Sequence, residues 1–509
     1  MRQDSQRAYA LRDVRRRAEE EDAIVGEWFR RHPPLEPFKP LKQFNPLERF
    51  GRFDLLNPFQ LKRRKHNMSN TRGISFSNID AEWKLALDPE NIFWSLLPRS
   101  NGEFMLPDDL ISLYKKEHEH LDTEMRNFRF NEPLNCVYID PTDRCNANCP
   151  YCYIPSKIRK HGKQMTWEQL DAALSKIADH FKGAKKKPVI VFHAAEPLLV
   201  KDILFQAIRE YHGKMLFGIQ TNSLLLEKKD VTFMKQYRVG VGISLDAATA
   251  AVNNRSRVSV TGGGNFKKAV QALDWFKGYE GLNVIATVSK YNVNKLSELV
   301  KFLHRKKVPC VLLNPVRLTQ KRSWGLKPDD MVYAKNLMKA VETAMELTQK
   351  TGRQIVIGNF TNVILAIISP TARRMMCDIS PCGGGRTFLT VTADGEMVPC
   401  GEFIGFKEFS GGNIFRTSID KAMNSKPFKQ IRERMVEKID ECDTCDFRHI
   451  CGSPCPAEMY ARGNMYKKAE FCEFYKEIIR QAFKMIAEDK VKYLLRKDSM
   501  DQMVMEYQY

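Results

Sequence analysis

"CVYIDPTDRCNANCPYCYI", residues 136–154, runs a short apolar strand directly into three cysteines, Cys145, Cys149 and Cys152, with three residues between the first pair and two between the second. A structural zinc site closes its tetrahedron with four protein ligands and commonly pairs two Cys-x-x-Cys units. Three thiolates leave one position open. An iron–sulfur cubane held in this way keeps one iron free for a ligand from outside the protein, and closely spaced cysteines in a turn are the usual holders of such clusters. An open iron points to a reacting cluster.

The strand at the head of this stretch is the first of six. "CVYI", "PVIVFH", "KMLFGIQTN", "VGVGISLD", "LNVIATVS" and "PCVLLNPV" are strand-length runs rich in Val, Ile and Leu, spread over residues 136–316, as strands buried on both faces should be. Between the first two lies "MTWEQLDAALSKIADHFKG", where Thr166 and Gln169 form a capping-box pair and Trp167, Leu170, Leu174, Ile177 and Phe181 recur at helical spacing. Strand–helix–strand repetition of this kind builds a parallel sheet with right-handed crossovers. Six units fall two short of a closed eightfold barrel. The expected fold is therefore α/β, an open partial (β/α)6 barrel of TIM type. The three cysteines follow its first strand, at the C-terminal rim where such barrels keep their chemistry.

Composition bounds the rest. At 509 residues, with 43% hydrophobic and 28% charged residues, the chain has the make-up of a soluble protein of two or three domains. It has no run of eighteen apolar residues, so no membrane is expected among its partners. Arg15, Arg16 and Arg17 are followed by acids and not by an apolar stretch, unlike an export signal, so a cytoplasmic location is expected. Thirteen cysteines there are expected to bind metal and not to form disulfides. The net charge of +20 raises nucleic acid as a partner, but the basic residues are scattered, so nucleic-acid binding is not the favoured reading.

Residues 1–67 read as an irregular, basic, Pro- and Phe-rich extension; because Met68 opens more regular sequence, translation from Met68 is an alternative. Residues 68–132 are expected to form an N-terminal helical or capping region, 133–325 the barrel, 326–376 a helical connection, 377–480 a small cysteine-rich domain, and 481–509 a C-terminal helix and tail.

The last third of the chain carries the second cysteine group. Its spacing is Cys-x12-Gly-x4-Cys from Cys382 through Gly395 to Cys400, then Cys442-x2-Cys445-x5-Cys451-x3-Cys455, and finally Cys472. Together with the Cys-x3-Cys-x2-Cys triad after the first strand, this pattern resembles the radical S-adenosylmethionine enzymes that carry a seven-cysteine SPASM extension. The resemblance implies that Cys145, Cys149 and Cys152 hold a catalytic [4Fe–4S] cluster whose open iron binds the amino and carboxylate groups of S-adenosylmethionine. One electron then cleaves the sulfonium, and the resulting 5′-deoxyadenosyl radical abstracts hydrogen from substrate. Tyr151 matches the aromatic position beside adenine, a turn tyrosine being the alternative. "AAEP", residues 194–197, stands where the family has Gly-Gly-Glu-Pro. Glu196 keeps the carboxylate that contacts the methionine ammonium, while the two alanines make positive φ less accessible. Gln220, Asn222 and Ser244, at the ends of the third and fourth strands, resemble the polar groups around the cofactor, Ser244 foremost. Asp246, Arg255 and Arg257 either face the cofactor carboxylate or the substrate or form a structural salt bridge or helix cap.

Two auxiliary [4Fe–4S] clusters need eight thiolates, and Cys377 can supply the eighth. By the interleaved ligation the resemblance implies, Cys377, Cys382, Cys400 and Cys455 hold one cluster and Cys442, Cys445, Cys451 and Cys472 the other, giving three clusters in all. If Cys377 is free, the first auxiliary cluster has an open iron. Cys136 and Cys310 fall in strands and read as buried small apolar residues. Proteins with this extension act mainly on peptides and proteins and draw electrons from a low-potential flavodoxin or ferredoxin. The expected activity is peptide maturation, with hydrogen taken from a Cα or Cβ and a loss of two hydrogens as a new bond, such as a thioether, forms. Sulfatase maturases typically place an aspartate just after the second cysteine of the first auxiliary cluster. Here Gly401 and Glu402 follow Cys400, which lowers that reading unless Glu402 acts as the base. The segment "FMLPDDLISLYKKEHEHLDTEM" and its surroundings, residues 70–130, are a leader-binding or capping element, or a packing appendage. A radical enzyme acting on RNA or a small molecule, and an electron-transfer scaffold, are the other classes.

Overall fold

The computed structural model describes residues 73–98, 107–373 and 375–495, all within one compact unit. The expectation for residues 1–67 lies outside these residues. The described chain opens with a three-stranded antiparallel sheet, β1 (Ser75–Asn78), β2 (Trp83–Leu87) and β3 (Trp94–Pro98). The region expected to be helical therefore begins as a sheet. Its apolar residues alternate with period two in "WKLAL" and "WSLLP", and Asp80 turns the first hairpin by accepting the amides of Glu82 (2.8 Å) and Trp83 (3.0 Å). Helix α1 (Asp108–Phe130) follows, with Asp108 and Asp109 at its positive end. Buried Arg129 near its C-terminus donates to Ser380 O (2.6 Å) and Glu437 Oε1 (2.6 Å), and Ser77 and Glu90 bond Asp446 and Arg448. These bonds fasten the region to the cysteine-rich segment, which favours the packing reading of residues 70–130.

The six expected strands are present: β4 (Cys136–Ile139), β5 (Val189–Phe192), β6 (Leu216–Thr221), β7 (Gly240–Ser244), β8 (Leu282–Val288) and β9 (Cys310–Pro315), each parallel to the next. Between them run α2 (Trp167–His180), α3 (Lys201–Tyr211), α4 (Lys228–Gln236), α5 (Phe266–Trp275) and α6 (Leu296–Arg305). The Thr166/Gln169 capping box forms, and Leu170, Ala173, Leu174 and Ile177 on the inner face of α2 are buried.

The sheet has nine strands, not six. β10 (Val356–Ile357) adds parallel to β9, while β11 (Phe388–Val391) pairs parallel with β4 and β12 (Met397–Val398) antiparallel with β11. β11 and β12 lie inside the Cys382–Cys400 frame, so the cysteine-rich segment caps the otherwise unpaired edge of β4, and the boundary at 377 is not a break in the sheet. The connection is α7 (Asp330–Thr351) and α8 (Gly358–Ile368). The last helix, α9 (Cys472–Ala487), begins at the final cysteine, ahead of the expected boundary at 481. It packs on α7 through stacked Tyr333 and Phe474, ring centroids 4.0 Å apart. Among the described residues no helix is long and apolar enough to cross a membrane.

Candidate functional site

A cavity of about 640 Å³ opens at the C-terminal ends of the barrel strands, lined from one side by Cys145, Cys149 and Cys152 and from the other by Cys377 and Cys400. The triad sits in the loop after β4. Arg159 clamps this loop by donating to Ala147 O (2.9 Å), Asn148 Oδ1 (3.2 Å) and Ile154 O (3.3 Å), and Asn148 N donates to Val258 O (2.7 Å). Burial raises the Cys145 thiol to about 12 and Cys149 to about 11, and Cys152 rises for the same reason. Three desolvated thiols whose thiolates would repel one another fit a cationic iron core, which reverses both penalties. The amide of Ala147 and Asn222 Nδ2 approach Cys145 Sγ at 3.4 and 3.8 Å, the kind of outer contact that orients a ligating sulfur.

The polar candidates fall into two sets. Tyr151, Gln220, Asn222, Ser244 and Arg257 line the cavity. Asn222 is already engaged, donating to Asn146 Oδ1 (2.8 Å) and accepting from Leu224 N (2.9 Å), so it steadies the triad loop. Asp246 lies behind the wall, fully buried. It accepts Tyr151 Oη (2.6 Å), Ser256 Oγ (2.8 Å), Arg257 Nε (3.1 Å) and Thr287 N (3.0 Å), and Arg257 Nη2 lies 3.0 Å away. Its acceptor capacity is spent on holding Tyr151 and Arg257. Asp246 and Arg257 thus form a buried ion pair behind the wall. Arg255 instead lies over the Tyr291 ring at 4.5 Å.

Glu196 is fully buried and accepts Thr221 Oγ1 (2.7 Å), Asn222 N (2.8 Å) and Leu198 N (3.2 Å). Burial raises its carboxyl to about 7 against the pull of these bonds. Ala194 and Ala195 nevertheless take the conformation glycine would favour, at φ +58° and +44°. Holding alanine in this left-handed conformation strains the turn, at a cost of about 1–2 kcal/mol per residue.

Eight of the remaining cysteines separate into two groups, Cys442 buried and the other seven half-buried. Burial raises Cys377, and the next influences on it are Cys382, Asp378, Arg317 and Cys455; Cys400 feels Cys455 and Cys377. Cys451 similarly feels Cys472 and Cys445, and Cys472 feels Cys442. Cys377 thus joins Cys382, Cys400 and Cys455, leaving Cys442, Cys445, Cys451 and Cys472 together, and none of the thirteen cysteines is in a disulfide. Burial raises Cys382, and buried Arg434 and half-buried Arg317 beside the first group oppose that rise, offsetting thiolate charge. Cys136 is buried in β4, while Cys310 in β9 is only half-buried.

Sequence reasoning did not single out Asn265, Arg317, Arg322, Tyr153 or His193. Asn265 Nδ2 bridges Asn222 O (2.9 Å) and Ser244 O (2.8 Å), tying the ends of β6 and β7, and Arg322 donates to Cys152 O (2.9 Å). No local spacing marks these residues. Glu402 lines the cavity beside Cys400. One of its oxygens is buried without a partner, and burial raises it to about 7 although Arg317 pulls it down.

Residues 139–303 match the Radical SAM superfamily and residues 382–446 the SPASM iron-sulfur cluster-binding domain. An uncharacterized protein of Archaeoglobus fulgidus is 42% identical over 81% of this chain and 95% of its own length. A cysteine-type anaerobic sulfatase-maturating enzyme of Clostridium perfringens is 21% identical over 69% of this chain and 96% of its own. The solved structure of native anSMEcpe with bound AdoMet and Cp18Cys peptide superposes with a TM-score of 0.62 at 20% identity, covering 71% of this chain and 99% of that one.

Proposed function

Because this chain belongs to the radical S-adenosylmethionine enzymes with a SPASM iron–sulfur domain, we propose that it is a peptide- or protein-modifying maturase. The observation that carries this reading is the shared cavity: the three-cysteine loop and two cysteines of the first auxiliary group face one chamber. S-adenosylmethionine, bound at the open iron and reduced by one electron, supplies a radical able to take hydrogen from an unactivated carbon. In this reading Cys145, Cys149 and Cys152 hold the reacting [4Fe–4S] cluster, and the groups of Cys377 and of Cys442 hold two auxiliary ones. Tyr151 offers its ring to the adenine, and Arg257 and Ser244 offer donors to the cofactor's carboxylate and ribose. Glu196 fixes the turn beneath the methionine ammonium, Gln220 completes the rim, and Asn222 steadies the triad loop. Four protein thiols at the first auxiliary site leave it the role of electron acceptor. The substrate is a peptide chain reaching the chamber, and the reductant a low-potential flavodoxin or ferredoxin of a reducing cytoplasm, in keeping with thirteen cysteines none of which is in a disulfide.

A second reading, a sulfatase-maturase-like protein oxidase, is favoured by Glu402, whose unpartnered oxygen beside the chamber could serve as base. One experiment separates the two. Small peptides encoded beside the gene are co-expressed anaerobically with the protein, with Cys149→Ala as control, and weighed. A loss of about two mass units that requires Cys149 supports the maturase. Unchanged peptides, with S-adenosylmethionine still cleaved, reject small peptides as substrates in favour of folded proteins.

A further inference from the structure

Fourteen buried side-chain polar atoms lack a hydrogen-bond partner among the described residues, and five of them gather at or behind one wall of the chamber: His193 Nδ1, Tyr153 Oη and one oxygen of Glu402 on residues that line it, and both oxygens of Asp140 behind His193. Interiors leave few such atoms, and a concentration of them asks for a chemical reason. Asp140 and His193 follow the neighbouring strands β4 and β5, and the His193 amide donates to Ile139 O (3.1 Å). His193 Nδ1 lies 3.9 Å from Asp140 Oδ1; Asp140 is 1% exposed, whereas His193 keeps 22% of its side chain open and lines the cavity. With Nδ1 turned to Asp140, the Nε2 edge is left for the cavity. Tyr153 stacks parallel to the imidazole at 6.3 Å and Tyr138 meets it edge-on at 5.3 Å. A Cβ at Gly401 would lie 3.6 Å from both His193 Cε1 and Tyr153 Oη. The imidazole therefore stands between the residue after Cys152 and the residue after Cys400. The titratable groups facing it are Asp140, Tyr138, Tyr153 and, across the gap, Glu402.

We infer that His193, oriented by Asp140, takes the proton that a peptide substrate gives up when it is oxidised in this chamber. The inference rests on the maturase reading above. Joining a substrate carbon to a cysteine sulfur breaks a C–H and an S–H bond and forms a C–S bond. One hydrogen leaves as an atom to the carbon radical derived from S-adenosylmethionine. The other leaves as a proton to His193 Nε2 and an electron to an oxidised [4Fe–4S] cluster at the Cys377 group. Burial lowers His193 to about 4 and raises Asp140, so the imidazole is uncharged before the step, and the new cation lies against a carboxyl that has no other partner.

The test uses the cluster-loaded full chain with its peptide deuterated at the reacting carbon. His193→Ala, and His193→Gln as the variant that keeps the volume, should lower formation of the lighter peptide by about 10²-fold while deuterium still reaches 5′-deoxyadenosine. Added imidazole should restore part of the product in His193→Ala. Asp140→Asn should shift the acidic limb of the pH–rate profile to lower pH, because the imidazolium loses the carboxyl that stabilises it. Separately from turnover, diethylpyrocarbonate should label His193 in the wild-type holoenzyme, and bound peptide should protect it. Equal labelling with and without peptide overturns the inference. So does wild-type product formation in both His193 variants, or uncoupling confined to Glu402→Gln. If the wild-type chain lightens no peptide at all, the maturase reading falls and this inference falls with it.

Discussion

Asp246→Asn tests whether Asp246 acts on the cofactor or on its neighbours. The substitution keeps the shape but removes the charge opposite Arg257 and turns an amide NH2 toward two of the four donors that the carboxylate accepts. Arg257 is 11% exposed and lines the cavity, so water can reach its guanidinium and relieve part of the loss. The full cost of stranding a buried charge, about 3–5 kcal/mol, is therefore reduced to about 2–3 kcal/mol. Asp246→Ala leaves Tyr151 Oη and Thr287 N without an acceptor as well, at about 1–3 kcal/mol each, and should cost at least about 4 kcal/mol in total, a large share of a normal domain's stability. Denaturant midpoints under anaerobic conditions measure both. Arg257→Ala, alone and combined with Asp246→Asn, supplies the coupling, expected at about 1 kcal/mol or more because the two side chains touch. Affinity for S-adenosylmethionine should fall with stability as Tyr151 and Arg257 lose their anchor. A variant with wild-type stability but weak cofactor binding would refute this reasoning and restore Asp246 as a direct contact.

Two further outcomes follow from the turn before Glu196. Ala195→Gly should raise stability by about 0.5–1 kcal/mol by relieving left-handed strain, while Ala194→Gly should be near neutral because it also removes a buried methyl group, worth about 0.8 kcal/mol; equal gains in thermal midpoint would contradict the packing argument. Glu196, with its folded-state pKa raised to about 7 by burial, binds its proton more tightly in the folded than in the unfolded chain. Its contribution is complete below about pH 4.5 and is lost as pH rises toward 7. The stability of the metal-free wild type should therefore fall more steeply between pH 5 and 7 than that of Glu196→Gln, and parallel curves would show that Glu196 does not titrate in this range.

Much of the architecture is legible in the sequence because its determinants are local. Six apolar runs, the Thr166/Gln169 cap and the cysteine spacings need only neighbours a few residues apart, and each run became a strand of the parallel sheet. β1 to β3 were missed because their runs are four or five residues long and lie beside the long helical pattern of α1. β11 was missed because its four residues sit inside a segment read for its cysteines.

What only the tertiary structure decided are the partnerships across long sequence separations. Tyr151 meets Asp246 ninety-five residues away, and Arg129 meets Ser380 across 251. Nothing local to Asp246 says that its oxygens will be consumed by a tyrosine, a serine, an arginine and a backbone amide. His193 reads as the end of an apolar strand and Asp140 as the start of a loop. They become a pair only because β4 and β5 are adjacent in the sheet, in register from Cys136 with Val189 to Ile139 with Phe192. Periodicity and ligand spacing are properties of a chain with itself over a few residues. Which polar groups share a buried wall depends on how strands are ordered and how helices press them together, and that is settled only when the whole core packs.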